Sequence, residues 1–155
     1  GGEEKEEKII AAPVSGTAIP MGQVSDPTFS QEILGKGTAV IPSDGRVVAP
    51  ADGLVTMVFD TKHAISMQTD NGAELIIHIG LDTVQLKGQY FEAHVAAGDK
   101  VKQGDLLLDF EIDKIKEAGY DVTTPVIICN TPQFPKMECR NGMEVKAGET
   151  AIIKL

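Results

Sequence analysis

Two short motifs each occur twice in this chain, and such self-similarity is typical of a duplicated fold. The pattern Ala-Pro-x-x-Gly spans residues 12–16 and 49–53, and both copies run into sequence rich in Val, Thr and Ile. The pattern Gly-x-x-Val-Lys-x-Gly spans residues 98–104 and 142–148, and each copy precedes a run of aliphatic residues. Turns with Pro and Gly are common in any β protein, so an unrelated set of turns stays open. The matching spacing favours a compact antiparallel β-sandwich or barrel with internal duplication.

Short runs of β-branched and aliphatic residues, separated by turn signals, predict strands along most of the chain. Only residues 112–118, which end at Gly119, have the period of a helix, and that helix is short. With 16 Gly, 8 Pro and no Trp, the composition also favours short strands joined by turns. The predicted class is therefore all-β with at most short helices. The predicted strands are residues 14–19, 38–41, 47–48, 54–59, 64–69, 73–79, 106–110, 122–129 and 151–154.

The chain begins with an acidic segment that has no apolar side chain. We interpret residues 1–8 (GGEEKEEK) as a tail or linker and residues 9–155 as a single domain. The formal net charge of -9 disfavours nucleic acid and an anionic membrane surface as partners and suits a basic protein. Cys129 and Cys139 belong to no C-x-x-C pair and are expected to be free cytoplasmic thiols. The sequence has no run of the roughly 20 apolar residues that membrane insertion needs.

Two histidines, His63 and His78, lie on predicted strands joined by Asn71-Gly72, a dipeptide typical of a two-residue hairpin loop. Such a loop would pair His78 with Ile65. His63 and His78 would then be diagonal neighbours on one face, with backbones about 7–8 Å apart. A three-residue loop would shift the register by one and place the two rings on opposite faces. Contact between the histidines therefore depends, at this point, on the turn type.

A pair of imidazoles suits phosphoryl transfer, because one ring can attack phosphorus while the other donates a hydrogen bond to the phosphoryl oxygens. Thr61 could supply a hydroxyl donor, Gly80 would leave room for a partner's side chain, and Asp82 could accept from an imidazole N–H. Two other interpretations stay open. The histidines could be polar strand ends satisfied by backbone carbonyls, or zinc ligands together with a carboxylate such as Asp82. His94 has no evident partner in the sequence and is interpreted as a structural or surface residue.

Over residues 9–154 the chain closely resembles the glucose-type enzyme IIA domain of the phosphoenolpyruvate-dependent sugar phosphotransferase system. The most specific motif is HIGLDTVQLKG at residues 78–88, and further signatures are VAPADG at 48–53, TKHAI at 61–65 and TTPVI at 123–127. The resemblance implies a duplicated antiparallel β-sandwich, in agreement with the repeats. It also implies a phosphotransferase component that carries a phosphoryl group for sugar uptake.

In that family the histidine at the His78 position is phosphorylated by the carrier HPr and passes the phosphate to a cysteine of the sugar-specific IIB domain. The resemblance implies that His63 supports the phosphoryl group, with Thr61 in its hydrogen-bond network. An apolar ring that receives HPr and IIB is implied at matching positions, namely Phe29, Ile33, Leu34 and Phe59. A cytoplasmic monomer is expected, either separate or as the cytosolic domain of a membrane permease. No cofactor is required: His63 and His78 could bind zinc in a complex, but zinc is not expected in the free domain.

The alternative function is a zinc-dependent hydrolase of related duplicated β architecture, which shares a His-x-x-x-Asp pattern, here His78 to Asp82. Such hydrolases normally add a His-x-His pair, and this sequence has none. A biotinyl or lipoyl carrier domain would need a lysine on a hairpin tip, and neither Lys102 nor Lys146 has the flanking pattern. The phosphocarrier function is therefore the leading hypothesis.

Overall fold

The computed structural model describes residues 7–155, in which fourteen short strands carry the fold. The strands are β1 (Ile9–Ala11), β2 (Gly16–Pro20), β3 (Lys36–Pro42), β4 (Arg46–Val48), β5 (Gly53–Val58), β6 (Ala64–Thr69), β7 (Glu74–His78), β8 (Phe91–Ala93), β9 (Lys100–Val101), β10 (Leu106–Phe110), β11 (Thr124–Ile128), β12 (Glu138–Cys139), β13 (Glu144–Val145) and β14 (Ala151–Lys154). The helices are α1 (Pro27–Ser30) and α2 (Ile112–Glu117), with 3-10 turns at Met21–Gln23, Thr83–Leu86 and Thr131–Gln133. The predicted all-β class with short helices is confirmed. No helix among residues 7–155 is long and apolar enough to cross a bilayer.

The order of the strands repeats itself in two halves. One antiparallel sheet of eight strands has the order β13-β2-β3-β11-β7-β6-β5-β9, and two sheets of three strands have the orders β1-β14-β12 and β4-β10-β8. Every strand of one half has a counterpart at the equivalent place in the other. Gly16 pairs with Val145 in the first half as Gly53 pairs with Val101 in the second. The repeated sequence motifs therefore occupy equivalent positions, which confirms the predicted duplication.

The two halves are joined by reciprocal hydrogen bonds at the repeated Ala-Pro motifs. The Ala11 N–H donates to the Pro50 carbonyl at 2.9 Å, and the Val48 N–H donates to the Pro13 carbonyl at 2.8 Å. Because each motif bonds to the strand that precedes the other, neither half has a free edge at this point. The duplication thus builds one sandwich rather than two separate units.

A single large aliphatic core fills the space behind β6 and β7. Ile65 and Met67 of β6 and Ile77 of β7 are buried, while Gln68 on the alternate face is exposed. Burial of this kind contributes about 25 cal/mol for each Å² of apolar surface removed from water. His78 has the parity of the outer face and is half-buried there. The strand ends that carry the histidines therefore rest on a closely packed base.

The short helix α1 was not predicted. Asp26 caps it, accepting a hydrogen bond from the Thr28 backbone N–H at 2.9 Å, and Pro27 occupies its first turn. Its four residues are too few to show a helical period in sequence. Phe29 of this helix is buried in a second, smaller apolar cluster with Met21, Val24, Ala39, Leu81 and Ile127. The helix thus adds an apolar wall on the outer face of the sheet.

The predicted register of the β6–β7 hairpin is wrong by one residue. His78 pairs with Ala64 rather than with Ile65. The loop comprises residues 70–72, since the Thr69 N–H donates to the carbonyl of Ala73 at 2.9 Å. The last residue of this loop, a glycine, has a φ of 100°. A three-residue loop with a left-handed glycine is the alternative hairpin solution, and it replaces the two-residue turn that Asn-Gly predicts.

The predicted acidic tail, residues 1–8, falls largely outside the described residues, since only Glu7 and Lys8 belong to them. The carbonyl of Lys8 accepts from the Leu155 N–H at 2.8 Å, and the Glu7 carboxylate lies 3.3 Å from the Lys154 ammonium. Lys8 therefore continues the backbone pairing of β1 with β14, and Glu7 adds an ion pair beside it. The first strand begins at Ile9, where the predicted domain begins.

Candidate active site

His63 and His78 are in contact at the ends of β6 and β7. Their ring centroids lie 4.9 Å apart, with the ring planes at 83°. His63 precedes β6, and its carbonyl accepts from the Ile79 N–H at 2.7 Å. In a regular strand this pairing would turn the His63 side chain toward the core, like Ile79. The chain instead bends before it, with Lys62 at a φ of 58°, and His63 meets His78. The predicted contact exists, although the predicted register does not.

The hydrogen bond of His78 defines its tautomer. The His78 Nδ1 lies 2.7 Å from the Gly80 carbonyl oxygen, and because a carbonyl only accepts, Nδ1 carries the hydrogen. In the neutral ring, Nε2 then holds a lone pair. This nitrogen is the nucleophile that the site can offer.

Gly80 is held in a conformation that excludes a side chain. Its φ is 79°, and a Cβ atom would lie 2.5 Å from the Thr83 Cγ2 and 2.9 Å from the Asp121 carbonyl oxygen. The Thr83 hydroxyl donates to the Ile79 carbonyl at 2.5 Å. Glycine is therefore required by this tight turn, which directs the Gly80 carbonyl toward His78. The space that was predicted here for a partner's side chain is occupied by Thr83 and Asp121 of the protein itself.

The second histidine has its own fixed partner. The Thr61 Oγ1 lies 2.5 Å from the Nδ1 of His63, and only 4 % of His63 is exposed. Thr61 precedes the bend at Lys62, so the bend brings the hydroxyl and the ring together. The structure thus joins the predicted residues Thr61, His63 and His78 in one chain of contacts.

The surroundings keep both rings neutral near pH 7. Burial, aided by the neighbouring His78, lowers the pKa of His63 from 6.5 to about 4. Burial also lowers the pKa of His78, against the opposing effects of the Gly80 hydrogen bond and of the nearby carboxylates Asp26 and Asp82. A neutral imidazole at His78 retains the lone pair that attack on phosphorus requires.

The two carboxylates act through space rather than by direct contact. Within residues 7–155 neither Asp82 nor Asp26 forms a hydrogen bond with His78. The imidazole N–H that Asp82 was predicted to accept is accepted by the Gly80 carbonyl instead. Asp82 itself is exposed, at a φ of 58°. Asp26 is a site residue that was not predicted from sequence, although the Asp-Pro pair that starts α1 could have indicated a helix start there.

Two of the four apolar side chains that the resemblance implied contact the rings. Phe29 lies 4.8 Å from the His78 ring and Phe59 lies 5.5 Å from the His63 ring, between centroids. Phe29 is buried and Phe59 half-buried, so both support the rings from the side. Ile33 and Leu34 follow α1 and are 67 % and 41 % exposed. These four predicted residues thus divide into two that pack on the histidines and two that face solvent.

No metal-binding group forms around His63 and His78 within residues 7–155. The group of three or more metal-capable side chains in this part of the chain consists of Glu92, His94 and Asp109. His94, which had no evident partner in sequence, lies with its Nε2 2.7 Å from the Asp109 Oδ2. The zinc constellation predicted as an alternative, two histidines with Asp82, is not assembled.

Residues 8–134 match the family described as phosphoenolpyruvate-dependent sugar phosphotransferase system, EIIA 1. The chain belongs to this EIIA family. It is 47 % identical over 150 residues to the glucose-specific EIIA component of Halalkalibacterium halodurans, covering 97 % of this chain and 87 % of that protein. The glucose permease IIA from Mycoplasma capricolum has the same fold, with a TM-score of 0.87, 33 % identity and 99 % coverage of both chains.

Other EIIA relatives are parts of larger proteins. The chain is 51 % identical over 131 residues to the beta-glucoside-specific EIIBCA component of Bacillus subtilis. The matched region is 84 % of this chain but 22 % of that protein. The glucosamine-specific EIICBA component of Bacillus subtilis is 49 % identical over 121 residues, which is 78 % of this chain and 19 % of that protein. The chain is therefore a glucose-type EIIA domain, a phosphoryl carrier of the sugar phosphotransferase system, and nothing in these findings supports the zinc-dependent hydrolase.

Proposed function

We propose that the EIIA domain accepts its phosphoryl group on the Nε2 of His78 from the phosphohistidine of HPr and passes it to a cysteine of a IIB domain. The observation that carries this proposal is the hydrogen bond from His78 Nδ1 to the Gly80 carbonyl at 2.7 Å, beside the ring of His63. That bond leaves Nε2 as the free nucleophile. The EIIB and EIIC components named in larger relatives support a IIB domain as the acceptor.

The chemical step exchanges one phosphorus–nitrogen bond for another. As the bond to the HPr histidine breaks, the lone pair of His78 Nε2 forms the new bond to phosphorus. The His78 ring then carries a positive charge shared with Nδ1–H, which the Gly80 carbonyl stabilises as hydrogen-bond acceptor. The carboxylates of Asp26 and Asp82 favour the same charge through space. In the onward step a cysteine thiolate attacks phosphorus, and the electron pair of the breaking bond returns to Nε2.

His63 supports the phosphoryl group in this proposal. A neutral His63 whose Nδ1 accepts from the Thr61 hydroxyl carries its hydrogen on Nε2. That N–H can donate to a phosphoryl oxygen, and a donor fixed in advance costs little reorganisation during transfer. The low pKa of His63 keeps the ring from becoming a cation that would repel the charged His78 ring. Thr61 therefore acts as a positioning residue through His63.

The exposed apolar residues that follow α1 suit a transient docking face. Ile33 and Leu34 lie at solvent-facing positions after α1, whose Phe29 contacts His78. Apolar groups around a polar centre are typical of contacts that exclude water during transfer. The formal net charge of -9 would attract a basic partner surface over a distance. This face would receive HPr and IIB in turn, since both must reach the same nitrogen.

The acceptor is tested by incubation with phosphoenolpyruvate, enzyme I and HPr. We expect one acid-labile phosphate per chain, lost in His78→Ala and retained in His94→Ala, which removes the histidine that lies outside this site. Unchanged labelling of the His78→Ala protein would refute the proposal. Circular dichroism of each variant establishes that the fold is kept.

The supporting role is tested by separating the two half-reactions. In His63→Gln we expect phosphate to enter, but to leave for IIB about 100-fold more slowly, because a fixed donor matters most in the transition state. Thr61→Val should show the same defect to a smaller extent, since the His63 ring remains but its tautomer is no longer fixed. Equal onward rates for wild type and His63→Gln would show that His63 is not the supporting group.

A further inference from the structure

A second group of chemically active side chains lies on the β8–β10 sheet. Glu92 and Asp109 are directly opposite each other in the antiparallel ladder. His94 follows two residues after Glu92, and its Nε2 lies 2.7 Å from the Asp109 Oδ2. One ligand-capable atom from each of the three side chains lies within 4.8 Å of the others. The group is distinct from the pair that carries the phosphoryl chemistry.

The duplicated fold contains an internal comparison for this group. The strands β12 and β14 are the counterparts of β8 and β10, and in them Glu138 is paired with Lys154. The half that contains β8 and β10 keeps the glutamate, as Glu92, but has Asp109 where the other half has the lysine. Opposite charges facing each other stabilise a sheet, whereas like charges destabilise it by a similar amount. The β8–β10 pair therefore has two carboxylates opposite each other where its counterpart has a carboxylate opposite an ammonium.

The protein's own cations do not fully balance these carboxylates. Arg46 is paired with Asp109 on the other side of β10. Among residues 7–155, however, the ion pair of Asp109 is with His94, and Glu92 takes part in none. An imidazole carries a positive charge only when both of its nitrogens are protonated. A bound cation between the three side chains would satisfy both carboxylates.

We propose that Glu92, His94 and Asp109 form a binding site for a divalent transition-metal cation of the Zn²⁺ type. One imidazole and two carboxylates are ligands that zinc accepts, with water in the remaining position. A hard cation such as Mg²⁺ prefers oxygen ligands alone and fits the imidazole poorly. The metal would take the Nε2 lone pair of His94, so the proton shared with Asp109 moves to Nδ1 or to solvent.

The site has room for the small movement that binding requires. Tetrahedral zinc with ligand bonds of about 2.0–2.1 Å holds its ligand atoms roughly 3.4 Å apart, closer than the present limit of 4.8 Å. Glu92 and His94 are exposed and Asp109 is half-buried, so the side chains can rotate inward without disturbing the core. An open cavity that Tyr90 and Glu111 also line adjoins the two carboxylates. It gives water access to the remaining coordination position.

The test is titration of the full chain with Zn²⁺, followed by NMR of the histidine rings labelled with ¹⁵N. The chain has three histidines, so the His94 signals can be followed separately from those of His63 and His78. The exposed thiols of Cys129 and Cys139 are replaced by serine in every sample, because thiolates also bind zinc. We expect the His94 ring signals to shift and to saturate at one equivalent, with micromolar affinity.

Matched variants separate a metal site from general charge attraction. Glu92→Gln should weaken the zinc-dependent shift of His94 by at least about 10-fold, or about 1.4 kcal/mol. Glu138→Gln removes the same charge at the equivalent position of the other half and should leave the affinity unchanged. An equal loss in both variants would overturn the proposal, as would the lack of saturation of the His94 shift at about 1 mM Zn²⁺. Mg²⁺ at the same concentration should produce no saturating shift.

Discussion

Burial of His63 should make the stability of the EIIA fold depend on pH in the range where histidine ionises. The pKa of His63 is about 4 in the folded chain and 6.5 at its ordinary value, so between these limits the unfolded chain binds more protons. The free energy of unfolding therefore falls as the pH decreases from about 6.5 toward 4. At 1.36 kcal/mol for each pKa unit, the whole effect is about 3 kcal/mol, of which about 2 kcal/mol develops between pH 7 and 4.5.

The assay is urea unfolding of wild type and His63→Gln at half-unit steps from pH 7.5 to 4.5. Carboxylates also titrate in this range, so the informative quantity is the difference between the two proteins at each pH. That difference should shift by about 2 kcal/mol in favour of His63→Gln as the pH falls. If the difference in unfolding free energy between the two proteins stays constant with pH, burial of His63 does not lower its pKa in the folded chain. An NMR titration that gives His63 a pKa near 6.5 would lead to the same conclusion.

Three further changes test the local geometry of the site. Gly80→Ala should cost about 2–4 kcal/mol in urea unfolding, because a side chain is strained at its positive φ and meets close neighbours, while Gly22→Ala, with open space around its Cβ, should cost less than 1 kcal/mol. Ile33→Asp should leave the stability unchanged and raise the KM for phospho-HPr about 10-fold, which steady-state phosphorylation rates would measure. Lys62→Val should destabilise the fold by about 1–2 kcal/mol and slow phosphorylation, whereas Lys62→Gly should not reduce stability, since only glycine adopts a φ of 58° without strain. A stable and fully active Lys62→Val protein would show that the bend does not position His63.

Strands of four or more residues with buried apolar side chains could be predicted from sequence, and strands held only by distant pairing could not. The bounds of β6, β10 and β14 agree with prediction to the residue. In contrast, β12 has two exposed residues, so no burial pattern marks it, and it exists because it pairs with β14. The other missed strands, β1, β8, β9 and β13, have two or three residues each. Their position follows from the duplication, since each is the counterpart of a strand in the other half.

The active site shows why a correct residue pair can follow from an incorrect register. In the prediction, side chains alternated regularly through His63, and a two-residue Asn71-Gly72 loop set the register. Together these two assumptions placed His63 next to His78. The hairpin has the other register, and alternation ends at Lys62, where a positive φ turns the chain. The shifted register and the bend at Lys62 compensate for each other, so that the two rings still meet. A lysine gives no sequence signal for such a bend, because it rarely adopts a positive φ. The nucleophilic nitrogen is likewise defined by a backbone carbonyl, that of Gly80, which the sequence does not distinguish from any other. The histidines could therefore be identified from sequence, whereas their geometry depends on backbone departures that the rules for regular strands exclude, as is common at functional sites.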